Sequence, residues 1–177
     1  RFRDSYPEIN LNLQQASDIE CENALVSGKA DVAFCAMPVD TNVFTVHATK
    51  SQPVYFLVSR KNPLSRCRTI NVSQLRDEQF ITIDADNKCG DGFVSRCEQA
   101  GFTPKVYMRT ADTHLISELC RENAGISFYI GEPVDIPEGV AVIPEDPMST
   151  WDVGIVTLAY RKPSKLAEEF ISFFKNW

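Results

Sequence analysis

The sequence predicts an α/β fold built as two lobes, and three observations predict it. Short apolar β-rich runs alternate with helix-patterned segments, the signature of strands joined by crossover helices. That alternation is interrupted once, near Asn62-Pro63, which divides it into two series. The last helix carries enough aromatic surface to demand a sheet to dock on, and if it returns to the first series the chain crosses between lobes twice. The expected lobes are 1–60 with 159–177, and 61–158, joined by two crossing strands that act as a hinge over a cleft.

Ile9, Leu11 and Leu13 alternate with polar residues, which predicts a strand with one buried face. Ser17 or Asp18 then offers an N-cap oxygen. Cys21, Ala24 and Leu25 share a helical face before Gly28 stops the helix. Residues 31–37 are almost entirely apolar, as expected of a central strand in a parallel sheet. Together these make a strand–helix–strand unit.

Residues 43–46 and 54–59 read as two further strands. A strand over 80–83, a helix from about Cys89 to Ala100, a strand over 105–108, a helix over 112–122 and a strand over 126–130 follow. Leu115, Ile116, Leu119 and Cys120 form the stripe of the second of these helices, and Asn123-Ala124-Gly125 ends it. Residues 153–160 form a long β run. Pro163 opens the final helix, with Leu166, Phe170, Phe173, Phe174 and Trp177 at helical spacing.

Composition bounds the function. The 177 residues are 44% hydrophobic and 24% charged, which suits a globular chain with a real core. A formal net charge of -6 argues against a nucleic-acid surface within these residues, because phosphate binding needs a clustered cationic footprint. No apolar run reaches the roughly 20 residues that span a bilayer. The chain lacks an initiator Met and begins as though cut from something longer. Its six cysteines show no C-x-x-C, and several fall where an apolar side chain is expected, which suits free thiols in the cytoplasm.

Searches for catalytic chemistry come back thin. There is no G-x-S-x-G, no P-loop, no G-x-G-x-x-G and no H-E-x-x-H. His47 and His114 read as ordinary surface or capping residues. Asp84, Asp86 and Asn87 hint at a calcium loop, but Lys88 stands where an oxygen ligand is required and Cys89 where a Gly is needed. Neither a metal nor a cofactor is expected.

The same stretch is better read as a strand end running into a helix start, where backbone N–H groups and the helix dipole attract an anionic ligand group, with Lys88 adding charge. The simpler reading is a solvated turn that caps the helix. Gln14 to Asp18 is the matching junction in the first lobe, and there a plain N-cap is the competing reading. Asp18 points toward a ligand carrying an amine. Thr110 to Thr113 is a third such junction. Cys89, beside Lys88 at a helix start, and Cys97, two turns on, read first as structural thiols and second as a redox pair.

The stretches F-R-D-S-Y-P-E-I-N-L, A-L-V-S-G-K-A-D-V-A-F, R-K-N-P-L-S, I-N-V-S-Q-L-R-D-E-Q-F-I-T-I, C-E-Q-A-G-F-T-P-K-V, E-N-A-G-I-S-F-Y-I and L-A-Y-R-K-P-S occur in this order over nearly the whole chain. The sequence so resembles the effector-binding domain of LysR-type transcriptional regulators. The resemblance implies two Rossmann-like lobes of the type-2 periplasmic-binding-protein kind, entered partway through, with a small-molecule effector bound between them. It implies DNA binding by an N-terminal winged helix-turn-helix outside these residues, a homodimer or homotetramer, and no enzymatic activity.

By position the resemblance carries ligand contacts onto Ser17, Asp18, Ala36 and Met37 in the first lobe. In the second it carries them onto the wall that includes Thr82, Asp84, Asn87, Lys88 and Cys89, beside Thr110. Peroxide-sensing members carry two cysteines around this second-lobe helix. Cys97 falls on one of those positions, while Cys89 is offset by one and lacks the neighbouring His. A transporter's solute receptor, a cysteine-based peroxide sensor and a dehydratase are the competing functions on such a fold.

Overall fold

The computed structural model describes residues 2–83 and 86–175. The chain is mixed α/β and divides into two compact units, Arg1–Lys50 with Asp152–Trp177, and Ser51–Trp151.

In the first unit, helix α1 (Phe2–Ser5) leads into residues that form no strand until β1 (Ala33–Ala36). The strand expected over Ile9 to Leu13 is therefore absent. Apolar alternation gives a strand only where a neighbour completes its ladder, and none of the described ladders includes this segment; Leu13 is left 76% exposed.

Helix α2 (Asp18–Val26) forms where expected, with Leu25 turned into the core. Its start is fixed by a capping box: the Ser17 hydroxyl accepts from the Glu20 amide, and the Glu20 carboxylate accepts from the Ser17 amide and hydroxyl. Strand β1 is shorter than the apolar run predicts and is not a central parallel strand. It pairs antiparallel with β7 (Thr150–Leu158) at the end of the described sheet order, and Phe34 is partly exposed. An apolar run reports burial but does not choose its partner, and here the partner is a strand from the far end of the chain.

The two β runs at 43–46 and 54–59 are one strand, β2 (Phe44–Ser59), which continues straight through Pro53. Helix α5 (Lys165–Phe174) buries Ala167 and Ile171, while Leu166 is 54% exposed and lies outside the expected stripe. Phe170, Phe173 and Phe174 instead surround Phe2, with ring centroids 5.0, 5.2 and 6.2 Å away. Trp177 lies outside the described residues. His47 is not a surface residue either; it is half-buried with its Nε2 2.8 Å from the Thr157 hydroxyl.

The second unit follows the predicted alternation closely. Strand β3 (Gln79–Thr82), helix α3 (Lys88–Gln99) and strand β4 (Lys105–Arg109) form a parallel βαβ unit. Helix α4 (Thr113–Arg121) is capped by Asp112, whose carboxylate accepts from the His114 and Leu115 amides. Strands β5 (Ser127–Ile130) and β6 (Val140–Pro144) both pair antiparallel with β2. Gly125 precedes β5 where the chain passes β3: a Cβ there would stand 2.9 Å from the Gln79 carbonyl oxygen.

The core of this unit centres on Phe93 of α3, packed among Phe56, Phe80 and Phe128 with centroids 6.3, 5.2 and 5.0 Å away. Aromatic burial of this density ties α3 firmly to the strands beneath it. Its N-terminal turn is positioned as a consequence.

Candidate functional site

In the first unit, α2 begins over the end of β1. The Asp18 carboxylate accepts a 3.0 Å hydrogen bond from the Ala36 amide, so the first turn of the helix is tied directly to the last residue of the strand. Ser17, Asp18, Ala36 and, next in the chain, Met37 are thereby brought together. Met37 donates its amide to the Asp152 carbonyl at 2.9 Å, and its side chain packs on Gly154. The Ser17 hydroxyl is engaged in the capping box, and the two Ser17 donors, backbone first, hold the Glu20 carboxyl below the usual carboxylate range. The sequence carries the signal for that box in Ser17-x-x-Glu20, three residues apart.

In the second unit, the Thr110 amide donates to the Thr82 carbonyl at 2.9 Å, so the junction after β4 lies beside the junction after β3. The Thr82 hydroxyl oxygen is buried and has no hydrogen-bond partner among the described residues. A buried hydroxyl left in that state costs about 1–3 kcal/mol, and a partner outside the protein would recover it.

Asn87 is the N-cap of α3, yet its side chain makes no capping hydrogen bond, and Lys88 and Cys89 follow in the first turn. Asp84 lies outside the described residues. The structure thus gathers the predicted residues into two groups, one in each unit: a strand-to-helix junction over β1, and a double junction at the ends of β3 and β4.

The cysteines are all free thiols. Cys97 is fully buried against the α3 core, and burial pushes its thiol up to about 11. Cys120 is pushed up to about 12 for the same reason. A thiol held neutral in an apolar setting is a poor nucleophile, which weighs against Cys97 as a reactive centre.

Sequence reasoning missed a buried polar cluster in the second unit. Glu145, only 4% exposed, holds the Arg96 guanidinium of α3 and accepts from the Ser149 hydroxyl. Trp151 lies over Gly92 of the same helix, where a Cβ would stand 2.6 Å from its Cζ3. No local pattern announces a pairing between a helix residue and a distant loop carboxylate. Among the described residues no three His, Cys, Asp or Glu side chains gather as a metal site, and no helix is long and apolar enough to cross a membrane.

Comparison with known proteins places this geometry. The family model described as the LysR substrate binding domain matches residues 1–177. An uncharacterized HTH-type transcriptional regulator of Bacillus subtilis, YwbI, is 26% identical over 180 residues, covering 99% of this chain and 60% of its own length. The chain thus spans about three-fifths of that relative. The C-terminal domain of a probable LysR family transcriptional regulator from Rhodococcus sp. RHA1 has the same fold, with a TM-score of 0.85, 22% identity, and coverage of 97% of this chain and 87% of its own. The effector binding domain of QuiR, solved in complex with shikimate, matches with a TM-score of 0.82 at 17% identity over 90% of this chain and 77% of its own. These solved structures share the fold of this chain, and the match of the family model across its full length shows that the chain belongs to the family of LysR substrate binding domains.

Proposed function

We propose that this domain binds a small polar metabolite carrying an anionic group, and that the strand-to-helix junctions at the ends of β3 and β4 in the second unit supply the contacts. The observation that carries this reading is the Thr82 hydroxyl, buried and without a hydrogen-bond partner among the described residues, at a junction held against Thr110 and followed by the N-terminal turn of α3. Backbone amides and the dipole at such a helix start favour an anion, and Lys88 adds a full charge. The shikimate seen in QuiR is a hydroxylated carboxylic acid, a ligand of this class, on the same fold. Ser17, Asp18, Ala36 and Met37 form a candidate contact surface of their own in the first unit. Because the Ser17 hydroxyl is spent on the cap and Asp18 on the Ala36 amide, their role is shape and backbone polarity more than side-chain charge.

The domain performs no chemistry. The effector shifts a conformational balance by binding one state better than another, and only that difference in affinity can move it. The whole protein binds DNA through a helix-turn-helix segment outside this chain, works in the cytoplasm and assembles as a homodimer or homotetramer. Its relatives' names, the net charge of -6 on this domain and its free thiols support those points. Membership of a regulator family favours this reading over a transporter's receptor, a peroxide sensor or a dehydratase.

A thermal-shift screen of hydroxylated and amino acids of small size tests the proposal. A ligand that stabilises the wild type should stabilise Lys88→Ala and Thr82→Val less, with Lys61→Ala unaffected. Equal stabilisation of all four proteins would place the site elsewhere.

A further inference from the structure

Among the described residues two side-chain polar atoms are buried without a hydrogen-bond partner, the Thr82 hydroxyl and the indole Nε1 of Trp151. Both belong to the second unit. The Trp151 side chain is partly buried, its Nε1 fully so, and a buried indole N–H usually finds a partner. Indole nitrogen only donates, so the missing partner is an acceptor.

Helix α3 sets the position of the ring. Trp151 stands over Gly92, where any Cβ would clash with the six-membered ring of the indole. Gly92 follows Lys88 by four residues and Cys89 by three, which places it on their face of the helix, one turn further along. Trp151 and Cys89 pack against the same core cluster. Four residues beyond Gly92, Arg96 holds Glu145, whose carboxylate also accepts from the Ser149 hydroxyl. The segment from Glu145 to Trp151 therefore runs back along α3 toward its N-terminal turn, and its last residue carries the unpaired donor. A water is a poor substitute for the missing acceptor, because it needs about two to four polar partners and Trp151 packs on an apolar cluster.

We propose that the Trp151 indole N–H is an effector contact, donating to an oxygen of the anion that the N-terminal turn of α3 attracts. Placing the ligand at that turn rests on the function proposed above; the unpaired indole does not. The contact narrows the ligand class. Besides the group that meets Thr82, the ligand presents a carboxylate, hydroxyl or carbonyl oxygen to the indole, and a site built on such a bond rejects analogues that lack the oxygen.

The test is a titration of the isotope-labelled chain with sodium glycolate, a minimal hydroxylated carboxylate, against sodium chloride at matched ionic strength, followed by proton–nitrogen correlation spectra. The chain has two indoles, Trp151 and Trp177, so the Trp151 signal is the one missing from Trp151→Phe. Phenylalanine keeps an aromatic ring over Gly92 and removes the donor. The expected result is a saturable downfield shift of the Trp151 indole proton that shares one Kd with the Lys88 and Cys89 amides. In Trp151→Phe those amides should report binding weaker by about threefold to tenfold, the worth of one net hydrogen bond. Lys88 and Cys89 amides that titrate while the indole stays still would overturn this proposal and leave the effector reading standing. An indole that titrates while those amides stay still would uphold the donor and overturn the effector reading's place at α3. Equal affinity in wild type and Trp151→Phe, or no saturable shift at any of these groups, would overturn the proposal.

Discussion

The Asp18 carboxylate accepts the Ala36 amide at 3.0 Å, joining the first turn of α2 to the last residue of β1. Ala36 is buried, so removal of the acceptor takes this hydrogen bond from a backbone amide shielded from water. Asp18→Ala should cost about 1–3 kcal/mol of stability, whereas Asp18→Asn, which keeps an acceptor oxygen, should cost less than half as much. Urea unfolding of both variants measures this. Equal losses would show that charge, rather than the amide bond, matters at this position.

The Arg96–Glu145 pair anchors α3 from its outer side. Replacing Arg96 with Leu strands a carboxylate whose side chain is 3% exposed, and should cost about 3–5 kcal/mol. Replacing both, as Arg96→Leu with Glu145→Leu, should recover most of the loss because no buried charge remains. A double-mutant cycle under urea reads the coupling, which should be several times that of the exposed Lys61–Glu122 pair.

Gly92 gives Trp151 room on the face of α3. Gly92→Ala places a methyl against the indole and should destabilise by about 1–3 kcal/mol despite the better helix propensity of Ala. Combining it with Trp151→Leu should remove that penalty. If Gly92→Ala alone stabilises the protein, the packing described for Trp151 is wrong.

Burial first, and Lys175 second, lower the pKa of His47 below its ordinary value of 6.5. The unfolded chain therefore binds a proton more readily than the folded one, and stability falls as pH drops from 6.5 toward the folded value, then levels off. His47→Gln should flatten the stability curve between pH 7 and about 5 relative to wild type. Thermal melts across that range check the sign.

Much of the second unit was legible because its helices state their own limits. Phe93 and Cys97 mark one face of α3, and Asp112 with Ile116 and Cys120 gives α4 its cap and stripe. The first unit was harder because strands depend on partners that local sequence does not name. Ile9, Leu11 and Leu13 alternate correctly yet join no described ladder, and the run at 31–37 pairs antiparallel with a strand over a hundred residues away. For the site, the change from strand to helix at Thr82 to Lys88 and at Gln14 to Asp18 could be read directly. That Ser17 is committed to Glu20, that Asp18 holds Ala36, and that the Thr82 hydroxyl has no described partner are facts of packing, visible only once the chain is folded.

The most direct test of the sensor reading is to map, by amide chemical-shift perturbation, where a stabilising metabolite binds. The account predicts the largest changes at Thr82, Asn87 to Gly90 and Thr110 of the second unit. Perturbations confined to other surfaces, such as Arg60, Lys61 and Arg121, would contradict it.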